Sequence, residues 1–387
     1  MLIISFDAVG DKELDTIAGL PNCKMLISQS TLHREISSVF VTNTYPIHAS
    51  VVTGVLPRDH KLTSNIAPFP SKHPIWRTKE AEIQSKTLWQ AAKEKGIETA
   101  AVLWPATGES KSIQYNIPEA HPLEKQSQIT ANMKSGSKIL QLKMFLRHGK
   151  LMDGLKQPCL DNFATACMAD LLREKKLGLA LVHLCAYDSL CHDFGKESSQ
   201  VEEAYESLDR NLGILLEAAG DDEDIIVFSD HSQRDVHTVL TPNDLMLQLG
   251  LIGYDGIQYQ PIENGAFIEC CGGSAFLHAE SLPESQIDVL KSAISNSEGF
   301  RRFISEEELG DAGIECAFGF AAKDGYCYES YGPGHLATHG YPLDMDNYKV
   351  FYLARIKGAQ KNNVEYGGSL LEIAPLAAKQ LGLELFN

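Results

Sequence analysis

Apolar residues along this chain fall into short blocks that stop abruptly at polar residues. LIISF (2–6), TAAVLW (99–104), LALVHL (179–184), IIVFS (225–229) and KVFYLA (349–354) are such blocks. Runs this short and this uniformly apolar predict strands buried on both faces. Between them lie amphipathic stretches: KTLWQAAKEKG (86–96), residues 161–176, VEEAYESLDRNLGILLEAAG (201–220) and SLLEIAPLAAKQLG (369–382). These predict helices, the first closed by Gly96. Strands alternating with helices predict an α/β fold, a mostly parallel central sheet with helices on both faces.

Two stretches break the rhythm. Residues 106–160 are polar and irregular, with one basic helix-like piece, KSGSKILQLKMFLRHGK (134–150). It reads either as a solvated amphipathic face or as a lid that touches a substrate anion. Residues 238–335 are rich in turns and short strands, as in GAFIECCGGSAFLH (265–278). The expected division is a catalytic core of 1–237 with 336–387, and a smaller inserted or cap-like subdomain at 238–335.

Composition narrows the partners. The chain has 387 residues, 44% of them hydrophobic, enough for a sizeable core. A net charge of −17 argues against a nucleic-acid polymer or an anionic membrane surface. A small anionic substrate stays compatible, because a bound cation reverses the local field. No apolar run is long enough to span a membrane. The first run stops at Asp7 and has no basic segment before it, unlike a signal peptide. Nine cysteines without CxxC spacing read as free thiols in a reducing compartment. The expected location is the cytoplasm.

Three of the apolar runs lead into aspartate. Asp7 closes the first, Asp230 closes IIVFS, and Asp188 comes four residues after LALVHL. Parallel sheets gather binding groups at the carboxyl ends of their strands, so the three carboxylates could meet. Each alone could equally form a turn or cap a helix. Histidines accompany them: His192 is four residues after Asp188, His231 follows Asp230, and His339 lies in THGY (338–341). Mixed nitrogen and oxygen ligands suit zinc or a similar transition ion better than magnesium or calcium. Thr44, in VTNTYPIHASVVTG (41–54), precedes what reads as a helix start at IHASVVTG. Helix N-termini suit phosphate, and a metal can activate a threonine hydroxyl. The plain alternative is that Thr44 is a helix cap.

Taken in order, these segments resemble the alkaline phosphatase superfamily, and within it the nucleotide pyrophosphatase/phosphodiesterase family. ISFDAVG (4–10), NTYPIHASVVTG (43–54), LPRDHKLTSN (56–65), PIWRT (74–78), LWP (103–105), DSLCHDFG (188–195), SDHS (229–232) and THGY (338–341) carry the likeness. The resemblance implies two zinc ions per chain, with manganese or iron as substitutes. Asp188, His192 and His339 would hold one ion. Asp7, Asp230 and His231 would hold the other, with Thr44 as its reactive ligand and nucleophile. Asn65 and the Thr44 N–H would bind a phosphate oxygen, and a phospho-threonine intermediate would form. Tyr45 replaces the usual Phe of the motif and keeps a ring that could stack on a base or aryl leaving group. Ile47 stands where the motif has Asn, His183 where nucleotide-selective relatives have Tyr, and Cys191 where Gly is common.

The implied substrate is a small phosphate ester, a nucleotide-like diester or anhydride. Two alternatives stay open. A phosphonate hydrolase of the phosphonoacetate type, or a phosphomonoesterase, would need a basic side chain from 106–160 or 238–335 in the site. A catalytically silent metal-binding protein would need a broken nucleophile or ligand set, and none is visible.

Overall fold

A strand that is apolar at every position must be covered on both faces, and Leu2–Phe6 (β1) is. It lies inside an eight-stranded sheet with Thr31–Ile36 (β2), Thr99–Val102 (β3), Tyr115–Ile117 (β4), Leu179–Leu184 (β5), Ile225–Ser229 (β6), Val350–Arg355 (β7) and Asn363–Tyr366 (β8). The order is β8-β2-β7-β6-β1-β5-β3-β4. Only β7 runs against its neighbours, so the sheet is mostly parallel, as the run pattern predicts. The structure, a computed structural model, describes residues 1–263, 265–331 and 334–385.

Alternation along β1 sends side chains to two separate cores. Leu2, Ile4 and Phe6 pack with Val182, Val227 and the helices Cys159–Glu174 and Ser199–Ala219. Ile3 packs with Leu181, Ile226, Phe228 and the helices Thr44–Thr53 and Ile373–Leu381. Both layers of helix are thereby anchored on the same strands.

Several boundaries differ from the pattern. TAAVLW stops being strand at Val102, because Leu103 takes a left-handed φ of 54° and turns the chain. β2, β4 and β8 escape the apolar pattern; β2 carries His33, Arg34 and Glu35, and β8 is an edge strand with mostly exposed residues. The Thr44–Thr53 helix begins at Thr44 rather than near Ile47, and Asn43 takes the cap position. All ten of its residues are buried, so its start is fixed by packing.

The basic stretch 134–150 forms parts of two helices, Gln128–Ser135 and Lys138–His148, divided at Gly136 and Ser137. Lys143 pairs with Glu174 at 2.6 Å, and Arg147 and His148 pair with Asp170 at 2.7 and 2.9 Å. Lys143, Arg147 and His148 thus face the helix Cys159–Glu174, and no residue of 134–150 lines the cleft beside Thr44, which corrects the lid reading.

After β6 the chain enters a second unit. Arg234–Leu240 pairs with Gly325–Tyr328 and Ala337–Thr338. A four-stranded antiparallel sheet, ordered Phe267–Cys270, Ser274–His278, Phe318–Ala322, Phe300–Phe303, lies beyond it. A separate apolar cluster that includes Ile268, Phe320 and Tyr341 holds this unit together. All nine cysteines are free. Among the described residues, no helix is long and apolar enough to cross a membrane.

Candidate active site

Register brings the aspartates together. Phe6 pairs with Ser229 and with Leu184, so β1, β5 and β6 end level with one another. Asp7 and Asp230 leave β1 and β6 one residue later. Asp188 sits on the first turn of the helix Ala186–Phe194, which follows β5. Buried Asp161 fixes that helix start by accepting the N–H groups of Cys185 and Ala186 at 3.1 and 2.8 Å. Burial pushes the Asp161 carboxyl up to about 6, against the pull of those N–H donors.

Two ligand groups result. Asp7, Asp230 and His231 form one, fully buried; Asp188, His192 and His339 form the other. Within each group the candidate ligand atoms lie within 4.8 Å of one another. His231 joins the two, its ring 4.1 Å from that of His339. Its Nε2 lies 3.4 Å from Asp7 Oδ1, from Asp230 Oδ2 and from Thr44 Oγ1. All seven residues expected to hold metal therefore converge on one place.

Supporting contacts aim these side chains. Asp230 Oδ1 accepts the N–H groups of Ala8 and His231 at 3.1 and 2.9 Å, which leaves Oδ2 for the site. His192 Nδ1 donates to the Ala337 carbonyl at 2.7 Å, and Nε2 faces Asp188 Oδ1 at 3.3 Å. His339 Nδ1 lies 3.0 Å from the Thr42 carbonyl and 3.1 Å from Asn43 Oδ1. The Gln233 side-chain amide donates to Asp188 Oδ1. Such partners fix imidazole tautomers and make the free nitrogen the lone-pair donor. The His339 loop also depends on Gly340, at φ 85°, where a Cβ would lie 1.6 Å from the Cys271 carbonyl oxygen.

The electrostatics are those of a site lacking positive charge. Burial, then Asp230 and Asp188, holds the Asp7 carboxyl well above its usual range. Burial likewise raises Asp230 to about 7. Burial also pushes Asp188 up, but the neighbouring imidazoles, His192 foremost with His339 and His231, together bring it below the usual range, and Asp188 in turn raises His192 against its own burial. Burial lowers His231 to about 4 and takes His339 well below its ordinary value. Asp7 Oδ1, Asp230 Oδ2 and His231 Nδ1 are buried without a hydrogen-bond partner. Carboxylates and neutral imidazoles that share one buried space, with orphaned oxygens among them, fit a bound cation. The residues present therefore fit the implied metal.

Thr44 is the first residue of its buried helix, and its hydroxyl reaches His231. His48, one turn on, lies 2.8 Å from the Thr44 carbonyl through Nδ1 and 2.9 Å from Ser5 Oγ through Nε2. Burial holds the His48 imidazole well below its usual value, so it is neutral, with Nδ1–H donating to the Thr44 carbonyl. Asn65 Oδ1 accepts the Tyr45 N–H at 2.8 Å. That contact leaves the amide nitrogen of Asn65 as the free end of the side chain.

A cleft of about 600 Å³ opens from Thr44, lined by Asn65, Trp76, Glu119, His183 and Tyr331 among others. Tyr45, expected as a stacking platform, borders this cleft but presents almost none of its surface to it. It is 1% exposed, its ring packs 5.7 Å from Trp76, and its hydroxyl donates to Glu119 at 2.9 Å. Trp76 in turn stacks on His121 at 3.9 Å. Sequence reasoning missed Glu119 and Asp161. Glu119 acts on Tyr45 from 74 residues away, and no local pattern marks such a pair. His183 stood out only as a departure from the family motif; its Nε2 lies 3.0 Å from Asp7 Oδ2.

Comparisons with known proteins give the chain a family and show which solved structures share its fold. The family model for type I phosphodiesterase / nucleotide pyrophosphatase matches residues 1–301. Human ectonucleotide pyrophosphatase/phosphodiesterase family member 1 is 23% identical over 245 residues, 60% of this chain and 23% of the relative. Mouse family member 7 is 20% identical over 313 residues, 76% of this chain and 62% of the relative. A cattle bis(5'-adenosyl)-triphosphatase is 26% identical over 117 residues, 28% of this chain and 25% of the relative. The chain thus spans about a quarter of the length of the human relative it matches. An inactive threonine-to-alanine variant of murine ectonucleotide pyrophosphatase/phosphodiesterase 5, in complex with AMP, superposes with a TM-score of 0.72 at 15% identity. That match covers 100% of this chain and 96% of the murine chain, and it shows a shared fold. With the family model matched over most of its length, the chain belongs to the type I phosphodiesterase / nucleotide pyrophosphatase family.

Proposed function

We propose that this protein is a dinuclear-metal phosphodiesterase or pyrophosphatase. It hydrolyses nucleotide-like phosphodiester or phosphoanhydride bonds through a covalent phospho-threonine at Thr44. The observation that carries this reading is the Thr44 hydroxyl, at a helix N-terminus and 3.4 Å from the His231 that joins the two ligand groups. The relatives support it: one solved structure is described as an inactive threonine-to-alanine variant with AMP, and one relative is named for a dinucleotide substrate.

Asp188, His192 and His339 would hold one ion, and Asp7, Asp230 and His231 the other, together with Thr44; zinc suits these donors. When bound, the cations supply Lewis acidity that acidifies the threonine hydroxyl and neutralises phosphate charge. Thr44 Oγ attacks phosphorus, an O–P bond forms, and the bond to the leaving alcohol or phosphate breaks. Water then cleaves the phospho-threonine and regenerates the hydroxyl. The free amide nitrogen of Asn65 donates to a non-bridging phosphate oxygen, as does the Thr44 N–H at the helix start, the Tyr45 N–H being held by Asn65. His48 holds the Thr44 carbonyl and so fixes the orientation of the nucleophile's backbone.

The charge of the cleft favours a diester over a monoester. Among its described lining residues Lys72 is the only lysine or arginine, while Glu119, Glu269 and Glu329 add negative charge. A phosphate dianion would want a guanidinium or ammonium at those oxygens. Lys143 and Arg147 of the basic stretch are engaged elsewhere.

Hydrolysis of bis-p-nitrophenyl phosphate should exceed that of p-nitrophenyl phosphate by about tenfold or more in kcat/KM, a difference of about 1.4 kcal/mol. A monoester preference would reverse the substrate assignment. Thr44→Ala should keep fold and metal and lose on the order of 10³-fold or more in kcat. Near-normal turnover in that variant would mean that water attacks phosphorus directly. Elemental analysis of Asp230→Asn should find one metal ion per chain where the wild type holds two; full retention of both would break the ligand assignment.

A further inference from the structure

The catalytic site leaves the basic amphipathic stretch unused. The helix Lys138–His148 buries one apolar face through Met144, with Leu140 packed against the same core. A surface helix needs only one such stripe. This one carries a second. Ile139, Leu142, Phe145 and Leu146 are 86, 51, 58 and 77% exposed. At about 100° per residue they fall within an arc of about 120°. Ile129 on the preceding helix and Leu151 and Leu155 on the following segment are exposed as well. Scattered apolar residues are ordinary on a surface, but a contiguous stripe marks a contact.

The charge around the stripe says what kind of contact. Residues 125–160 hold seven lysines and arginines against one aspartate, in a chain of net charge −17. Lys143 and Arg147 turn to the helix Cys159–Glu174, and Lys156 to Asp153. Lys134, Lys138 and Lys150 are exposed and have no ion pair among the described residues. Screening over about 10 Å in 0.1 M salt makes this local charge, not the chain's total, what a surface meets.

We propose that the helix Lys138–His148 is a docking surface for an anionic lipid bilayer. Ile139, Leu142, Phe145 and Leu146 enter the boundary between headgroups and acyl chains, and Lys134, Lys138 and Lys150 meet the lipid phosphates. This revises the expectation, drawn from total charge, that no membrane is a partner. A second copy of the chain suits the surface less well. A two-fold contact through this face would bring the lysines of one copy against those of the other.

Flotation of the full chain with vesicles tests the proposal. Binding to phosphatidylcholine vesicles containing phosphatidylglycerol should exceed binding to pure phosphatidylcholine by about tenfold or more. Ile139→Glu with Leu146→Glu should abolish it. Alanine at Lys134, Lys138 and Lys150 should weaken it about fivefold per lysine. Both sets should retain the wild-type circular dichroism and turnover of soluble diester, which separates loss of docking from misfolding or loss of the catalytic site. The proposal is overturned if the wild type does not float with anionic vesicles. It is equally overturned if the glutamate variant floats as well as the wild type, or if the wild type is a dimer that this variant splits into monomers.

Discussion

Three aspartates gathered beyond the ends of neighbouring strands, Asp7 and Asp230 buried and Asp188 half-buried, are the constraint on which the rest of this structure turns. β5, β1 and β6 end level because their apolar side chains fix a parallel register. Asp7 and Asp188 then meet at the floor of one cleft, with Asp230 buried beside Asp7. Burial and mutual repulsion raise Asp7 and Asp230. The imidazoles of His231 and His339 beside them are neutral and offer lone pairs, not charge. Paired buried charge is tolerated; an excess of one sign is costly. Cations at the two ligand groups would resolve that excess.

The nucleophile and the cleft follow from the same arrangement. The Thr44 helix is wholly buried, so its N-terminus is held against His231 by packing on β1 and β6. Asn65 is oriented by the Tyr45 N–H rather than left to substrate. Farther out, each cleft glutamate meets a histidine: Glu119 with His121, Glu269 with His278 and Glu329 with His335. The positive charge such a site needs for a phosphate would thus come from its cations, with few basic side chains to help.

Much of this could be read in the sequence, for a physical reason. A strand covered on both faces is apolar at every position, so the polar residue that ends it stands out. That made Asp7, Asp230 and the Asp188–His192 pair visible, and the structure gathers them with His231 and His339. β2 and β8 were not visible, because strands toward the edge carry polar side chains. His339 follows only the two-residue strand Ala337–Thr338, too short to show as an apolar run, and its role is read through the family motif. Glu119 and Asp161 were silent because their partners lie far along the chain. Tyr45 misled: the ring suits stacking, but Trp76 and Glu119 claim it inside the fold.

The most direct test of the central claim is thermal unfolding of metal-stripped protein titrated with zinc. If the buried carboxylates depend on cations, the midpoint should rise by roughly 5 °C or more and saturate at two equivalents per chain. An unchanged midpoint would mean that the protein accommodates these charges alone, and the metal-centred account would fall.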